Sequence, residues 1–230
     1  MELKQIIDWL NSHANSTNVK GMAKFGINPK NTRGISLYDL RPLAKKIPRN
    51  HQLALDLWKT GIHEARILAP MIDIPHKVTE EQMEEWAKDF DSWDIVDQCC
   101  GNLFKDTKFA KKKILEWSER KEEFVKRTAF ALICEFAYHD KTMKDADFET
   151  YFPIIKREAT DERNFVKKAV NWALRNIGKR NLTLNKKAIK IAEEIKKIQN
   201  KTSRWIANYA LRELKSEAVQ RRLTRKNDRQ

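Results

Sequence analysis

A single acidic side chain interrupts a recurring row of bases in this 230-residue chain. A short helical phrase, a basic residue followed by small and apolar ones, occurs four times. It centres on Arg66 in Glu64-Ala65-Arg66-Ile67-Leu68-Ala69, on Arg127 in Val125-Lys126-Arg127-Thr128-Ala129, on Lys168 in Val166-Lys167-Lys168-Ala169-Val170, and on Arg204 in Ser203-Arg204-Trp205-Ile206-Ala207. Between the first two copies, Trp93-Asp94-Ile95-Val96-Asp97 sets Asp97 where the register expects a base. If the copies stack as helical hairpins of about 30–40 residues, these five side chains fall along one edge. A line of cations suits a phosphate backbone, and a lone carboxylate within it calls for a separate task. Trp93 and Asp97 are four apart and share one face of a helix. Taken alone, such a pair is a packed tryptophan beside a solvated or capping acid. Its weight comes from the register and from Trp172, which opens the same kind of helix two copies later and would border the same groove.

Other combinations of reactive residues fall short of a site. His63-Glu64 begins like a zinc-binding helix, but position 67 is Ile, so the second histidine is missing. His139-Asp140 lacks companion ligands, and Gly178-Lys179 lacks both the upstream glycine and the following Ser/Thr of a phosphate loop. Cys134, among Leu132, Ile133 and Phe136, reads as a buried thiol, and Cys99-Cys100 as structural, with no adjacent histidine to activate either sulfur. No metal and no cofactor is expected. Trp9, Trp58, Trp86, Trp117 and Trp205 read as core or packing residues.

The elements that must position these residues are helical. Only 6 Gly and 6 Pro punctuate the chain, and no alternating run of β-branched residues appears. A first helix is predicted from Leu3 to His13, ended by the Ser/Asn/Thr-rich stretch at 11–18. An irregular segment follows from Asn28 to Gly34, then a helix capped by Ser36 and stopped at Pro48. Beyond residue 50 the expected pairs are 50–60 with 62–72, 79–89 with 92–104, 106–117 with 121–138, 146–157 with 161–178, and 184–199 with 202–215. Short connections imply antiparallel neighbours. The whole, 1–230, reads as one HEAT-like repeat domain without a linker, with a basic tail at 216–230 (Arg221, Arg222, Arg225, Lys226, Arg229) expected to fray and lie on a polyanion.

The net charge of +14 is concentrated: residues 161–230 carry 20 Lys/Arg against 7 Asp/Glu, so the rest is almost balanced. Such a third suggests a polyanion partner, nucleic acid before anionic membrane. No stretch approaches the roughly 18 apolar residues of a membrane span, the first residues do not read as a signal peptide, and three cysteines make no disulfide framework. A cytoplasmic, nucleoid-associated protein is expected.

Several phrases together resemble one family over nearly the whole chain. They are Met22-Ala23-Lys24-Phe25-Gly26-Ile27, Leu57-Trp58-Lys59-Thr60-Gly61-Ile62-His63-Glu64-Ala65-Arg66, Trp93-Asp94-Ile95-Val96-Asp97, Phe124-Val125-Lys126-Arg127-Thr128-Ala129, and Phe165-Val166-Lys167-Lys168-Ala169-Val170-Asn171-Trp172-Ala173-Leu174-Arg175. They are similar to the HEAT-like DNA alkylation repair proteins, the AlkD-type alkylpurine DNA glycosylases. The resemblance implies an all-α HEAT-like helical-repeat solenoid, an α-α superhelix with a concave basic groove. It places the family's catalytic aspartate at Asp97, its groove tryptophans at Trp93 and Trp172, and its phosphate-contacting arginine at Arg127; Phe25 is nearest to its amino-terminal aromatic clamp. Arg66, Lys168 and Arg204, with Arg175, Lys179 and Arg180, would hold further phosphates.

The implied activity is hydrolysis of the N-glycosidic bond of cationic N3- or N7-alkylpurines in duplex DNA, by a monomer with no cofactor and no base-flipping pocket. Some members of the superfamily bind DNA without excising bases, so a non-catalytic binder of damaged, bent or branched DNA is the alternative. A third reading, a protein-interaction scaffold, fits the repeats but not the charge.

Overall fold

The computed structural model describes residues 1–227, and every regular element among them is helical. Two compact units emerge, Met1–Lys111 and Lys112–Gln230. No helix among the described residues is long and apolar enough to cross a membrane.

In the first unit, α1 (Leu3–Ser12) buries Ile6 and Leu10 on its one apolar side. The polar stretch expected to end it does so, at Ser12, and also opens a further element. Asn15 caps a new helix, α2 (Ser16–Lys24), by accepting a hydrogen bond from the Asn18 amide, which converts a polar run into a helix start. Next come α3 (Leu37–Lys46), α4 (His51–Lys59), α5 (His63–Ile72), α6 (Glu80–Lys88) and α7 (Trp93–Asn102). Helix α5 is the hub, packing on α1, α3, α4 and α7. The stacked indoles of Trp58 and Trp86, centroids 4.1 Å apart, fill the core beside Phe90 and Phe104.

Three helices of the second unit pack in sequence face to face: α9 (Glu123–His139) on α12 (Asn164–Gly178), and α12 on α14 (Lys201–Leu214). Around them lie α10 (Asp145–Glu149), α11 (Phe152–Arg157) and α13 (Leu182–Lys196), while α8 (Ala110–Ser118) runs across the sequence boundary between the units. The single helix expected over 146–157 is two, because Pro153 has no N–H with which to continue the ladder and instead occupies the opening turn of α11. The tail expected to fray is helical as α15 (Glu217–Asn227), with Val219 and Leu223 buried against α13 and α14; Arg229 lies outside the described residues.

One buried carboxylate ties the irregular 26–35 segment to the rest of its unit. Glu64, fully buried in the first turn of α5, accepts hydrogen bonds from the backbone N–H groups of Arg33, Gly34 and Ile35 at 2.7–3.2 Å. These donors and the positive end of the α5 dipole offset the cost of a desolvated charge. Gly34 adopts φ +75°, and a Cβ there would stand 2.2 Å from the Asn15 carbonyl oxygen, so the backbone of the 15–19 region closes on it directly. Glu64→Gln replaces one acceptor with an NH₂ that faces those donors. A loss of about 2–3 kcal/mol is expected, read as a lower urea midpoint with unchanged slope.

Candidate nucleic-acid interface

Each of five helices carries its candidate four or five residues past its N-cap. Counting from the N-caps Ser92, Glu122 and Arg163, the fifth residue is Asp97 in α7, Arg127 in α9 and Lys168 in α12. From Ile62 and Asn200 the fourth is Arg66 in α5 and Arg204 in α14, a difference within the ordinary spread of helix ends. Each candidate therefore lies just past the first turn of its helix, and Asp97 is the acidic one.

In the first unit, α7 is bolted to α5 through its opening turn. His63, buried, bonds through Nε2 to Asp94 Oδ2 at 2.8 Å, and Asp94 also accepts from the Ser92 hydroxyl and the Ile95 amide. Burial alone pushes the His63 imidazole down, but the hydrogen bond and charge of Asp94 outweigh it and hold its pKa above the usual histidine value. Burial likewise pushes Asp94 up, and the bonds from His63, Ser92 and Ile95 leave it below the usual carboxylate value. Trp93 and, one turn on, Asp97 share a side of α7, both half-buried. The Trp93 indole donates to the Phe25 carbonyl at 3.1 Å, and the Phe25 ring at the end of α2 is 75% exposed. The structure thus brings Phe25 to Trp93, a neighbourhood that a separation of 68 positions conceals in the sequence. Arg66, by contrast, is held by Asp89 through its carboxylate and carbonyl oxygens, both at 3.1 Å, and lies over Trp58 at 5.2 Å.

Among the second unit's candidates, two cations face solvent outright: Lys168 and Arg204. Arg127 is 6% exposed, and its guanidinium donates to the Phe165 carbonyl at 2.9 Å. Arg175 and Lys179 converge on Glu213, whose carboxyl they hold below its usual pKa against the opposing effect of burial. Arg180 donates to the carbonyl oxygens of Ala137 and Asp140 at 2.9 and 2.7 Å and covers the Phe148 ring, finishing the carboxyl end of α9 as a side-chain cap. Trp172 is half-buried and lines an open cleft of about 960 Å³ together with Tyr138, His139, Lys179, Arg180 and Arg222.

Trp58, Trp86 and Trp117 are core residues as read from sequence, and the three cysteines are buried thiols. Trp205 is not: 38% of it is exposed, because it falls on the side of α14 away from Ile206, Ala207 and Ala210. Sequence reasoning also missed Tyr209, one turn beyond it. The spacing of two aromatics at i and i+4 in a basic helix was the available signal.

The His63–Asp94 pair makes stability depend on pH with a definite sign. A histidine raised in the folded state contributes stability that is fully present below 6.5 and is lost as pH rises through its folded value. Asp94, lowered, contributes above 3.8 and loses its share as pH falls through its folded value. The urea midpoint is expected to fall as pH rises above 6.5 and through the folded value of His63, and Asp94→Asn to flatten that fall. A midpoint in the wild type that stays level across this interval removes the charged pair.

A family model described as DNA alkylation repair enzyme matches residues 6–214 of the chain. Among solved structures, the chain is similar to one described as a new family of proteins related to the HEAT-like repeat DNA glycosylases with affinity for branched DNA structures. The TM-score is 0.77 at 19% identity, covering 90% of this chain and 93% of that one, which shows a shared HEAT-like repeat fold. An engineered protein aligns with TM-score 0.41 and 13% identity over 94% of this chain and 99% of its own. A designed armadillo repeat protein aligns with TM-score 0.36 and 14% identity over 76% and 91%. A search of curated proteins finds no match.

Proposed function

The chain belongs to the DNA alkylation repair enzyme family, and from that premise we propose that it is a DNA N-glycosylase acting on cationic N3- or N7-alkylpurines in duplex DNA. One observation carries the reading. The register position that is basic in α5, α9, α12 and α14 is Asp97 in α7, partly exposed and one turn from a partly exposed Trp93, on a helix whose start is fixed by a buried ion pair.

An alkylated purine of this kind already bears the positive charge that makes it a good leaving group. When the bond from C1′ to N9 breaks, the electron pair goes to the base, which departs neutral, so no strong general acid is needed. Positive charge then develops on the sugar. The Asp97 carboxylate stabilises that charge and orients the water whose oxygen bonds to C1′, its proton passing to the carboxylate or to solvent. The π-face of Trp93 adds attraction for the same electron-poor sugar, about 0.5–2 kcal/mol. Trp172, on the wall of its own unit's cleft, offers a second aromatic face to the DNA. Lys168 and Arg204 meet phosphates directly, while Arg66, Arg127, Arg175, Lys179 and Arg180 act largely by holding their helices in place.

The relative described by its affinity for branched DNA favours one competitor, a binder that excises nothing. Methylated duplex DNA separates the two. Asp97→Asn is expected to lower release of 7-methylguanine and 3-methyladenine by about 10²–10³-fold or more while affinity for the duplex holds or improves, since one repulsive charge is gone. Wild-type protein that releases neither base leaves the binder as the reading. For the cations, Lys168→Ala and Arg204→Ala are each expected to reduce the slope of log K against log salt by about 0.9 on duplex DNA. A slope that stays put takes that side chain off the phosphates.

A further inference from the structure

We propose that the α12–α14 surface of the second unit binds an unpaired nucleotide of single-stranded DNA, with its base stacked on the Trp205 indole. The proposal rests on the DNA-binding half of the reading above and is independent of base excision.

Helix α14 needs neither of its aromatics for the core. Ile206, Ala207, Ala210 and Leu214 are buried, whereas Trp205 and Tyr209 each remain 38% exposed, one helical turn apart with centroids 5.6 Å from each other. Large aromatic surface left in water has a cost, and cations hold it in place. Lys167 Nζ lies 5.6 Å from the Trp205 ring centroid, and the guanidiniums of Arg175 and Arg212 lie 5.1 and 4.7 Å from that of Tyr209. Trp205, Asn208, Tyr209 and Arg212 line a cavity of about 290 Å³ on this surface. A rigid indole face, an amide that can both donate and accept, and flanking cations are the three parts that hold a nucleotide: base, base edge and phosphate.

Duplex DNA fits this arrangement poorly, because its bases are already stacked and show no free π-face to a side chain on the surface. An unpaired base has one, and stacking on an aromatic residue is tolerant of which base it is. The surroundings match in sign, since Arg204 is exposed immediately beside Trp205 and residues 161–230 carry 20 Lys/Arg against 7 Asp/Glu. A protein partner would call for a wider apolar patch than two half-exposed rings framed by charge.

The test uses the full chain and two fluorescein-labelled duplexes of equal length, one blunt and one carrying a short oligothymidine tail. Fluorescence anisotropy at fixed salt is expected to show the tailed DNA bound at least about fivefold more tightly. Trp205→Ala is expected to abolish that preference and leave affinity for the blunt duplex unchanged, and Trp205→Phe to retain most of it. Asp97→Asn keeps the preference, which separates this site from the excision reading. As a check that needs no variant, 2-aminopurine placed in the tail is expected to be quenched when the wild-type protein binds. Equal affinity for tailed and blunt DNA, an equal loss on both with Trp205→Ala, or an unquenched 2-aminopurine overturns the proposal and gives the surface to another occupant.

Discussion

The His63–Asp94 ion pair is the interaction on which the candidate chemistry of the first unit depends. Desolvating an imidazolium and a carboxylate is costly, and only close geometry with supporting donors makes the pair stable. Here the Ser92 hydroxyl and the Ile95 amide supply that support, and all of it converges on the first turn of α7. The reward is orientation. A carboxylate stabilises a developing cation best when it does not have to reorganise as the charge appears. Asp97 sits one turn beyond an immobilised helix start, so its direction is set by the backbone of α7 rather than by a loop.

Positive charge in this protein is divided between two tasks that composition cannot separate. Arg66 steadies Asp89 and Trp58, Arg180 closes the end of α9, and Arg175 and Lys179 share Glu213. Each of these makes a helix contact or finishes a helix terminus. Lys168 and Arg204 face solvent and are available to a polyanion. A basic stretch therefore advertises more phosphate-binding capacity than its free side chains supply, since a cation bound to a carboxylate must first be released before it meets a phosphate.

The helix pairs were legible because apolar residues recur with helical period, and Arg66, Asp97, Arg127, Lys168 and Arg204 each lie four or five residues past an N-cap. What the sequence hid is of two kinds. Local side-chain capture changed element boundaries: Asn15 turned a polar run into α2, and Pro153 divided α10 from α11. Long-range contacts assigned the partners. That Glu64 would hold the 33–35 backbone, that His63 would find Asp94, and that Phe25 would lie against Trp93 depend on chain segments about 30 to 68 residues apart, which no periodicity encodes. Trp205 shows the limit from the other side: its chemistry suggested the core, and only the facing of α14 puts it in water.

Gly34 gives the amino-terminal helices an unusual kind of fragility. The Asn15 carbonyl occupies the space where a side chain would begin, so α2 seats against the loop because one hydrogen, and not a methyl group, stands at that carbon. Phe25 rides at the far end of α2 and reaches Trp93 through its own carbonyl. The meeting of Phe25 with Trp93 is thus governed by steric permission granted at a residue that bears no functional group at all.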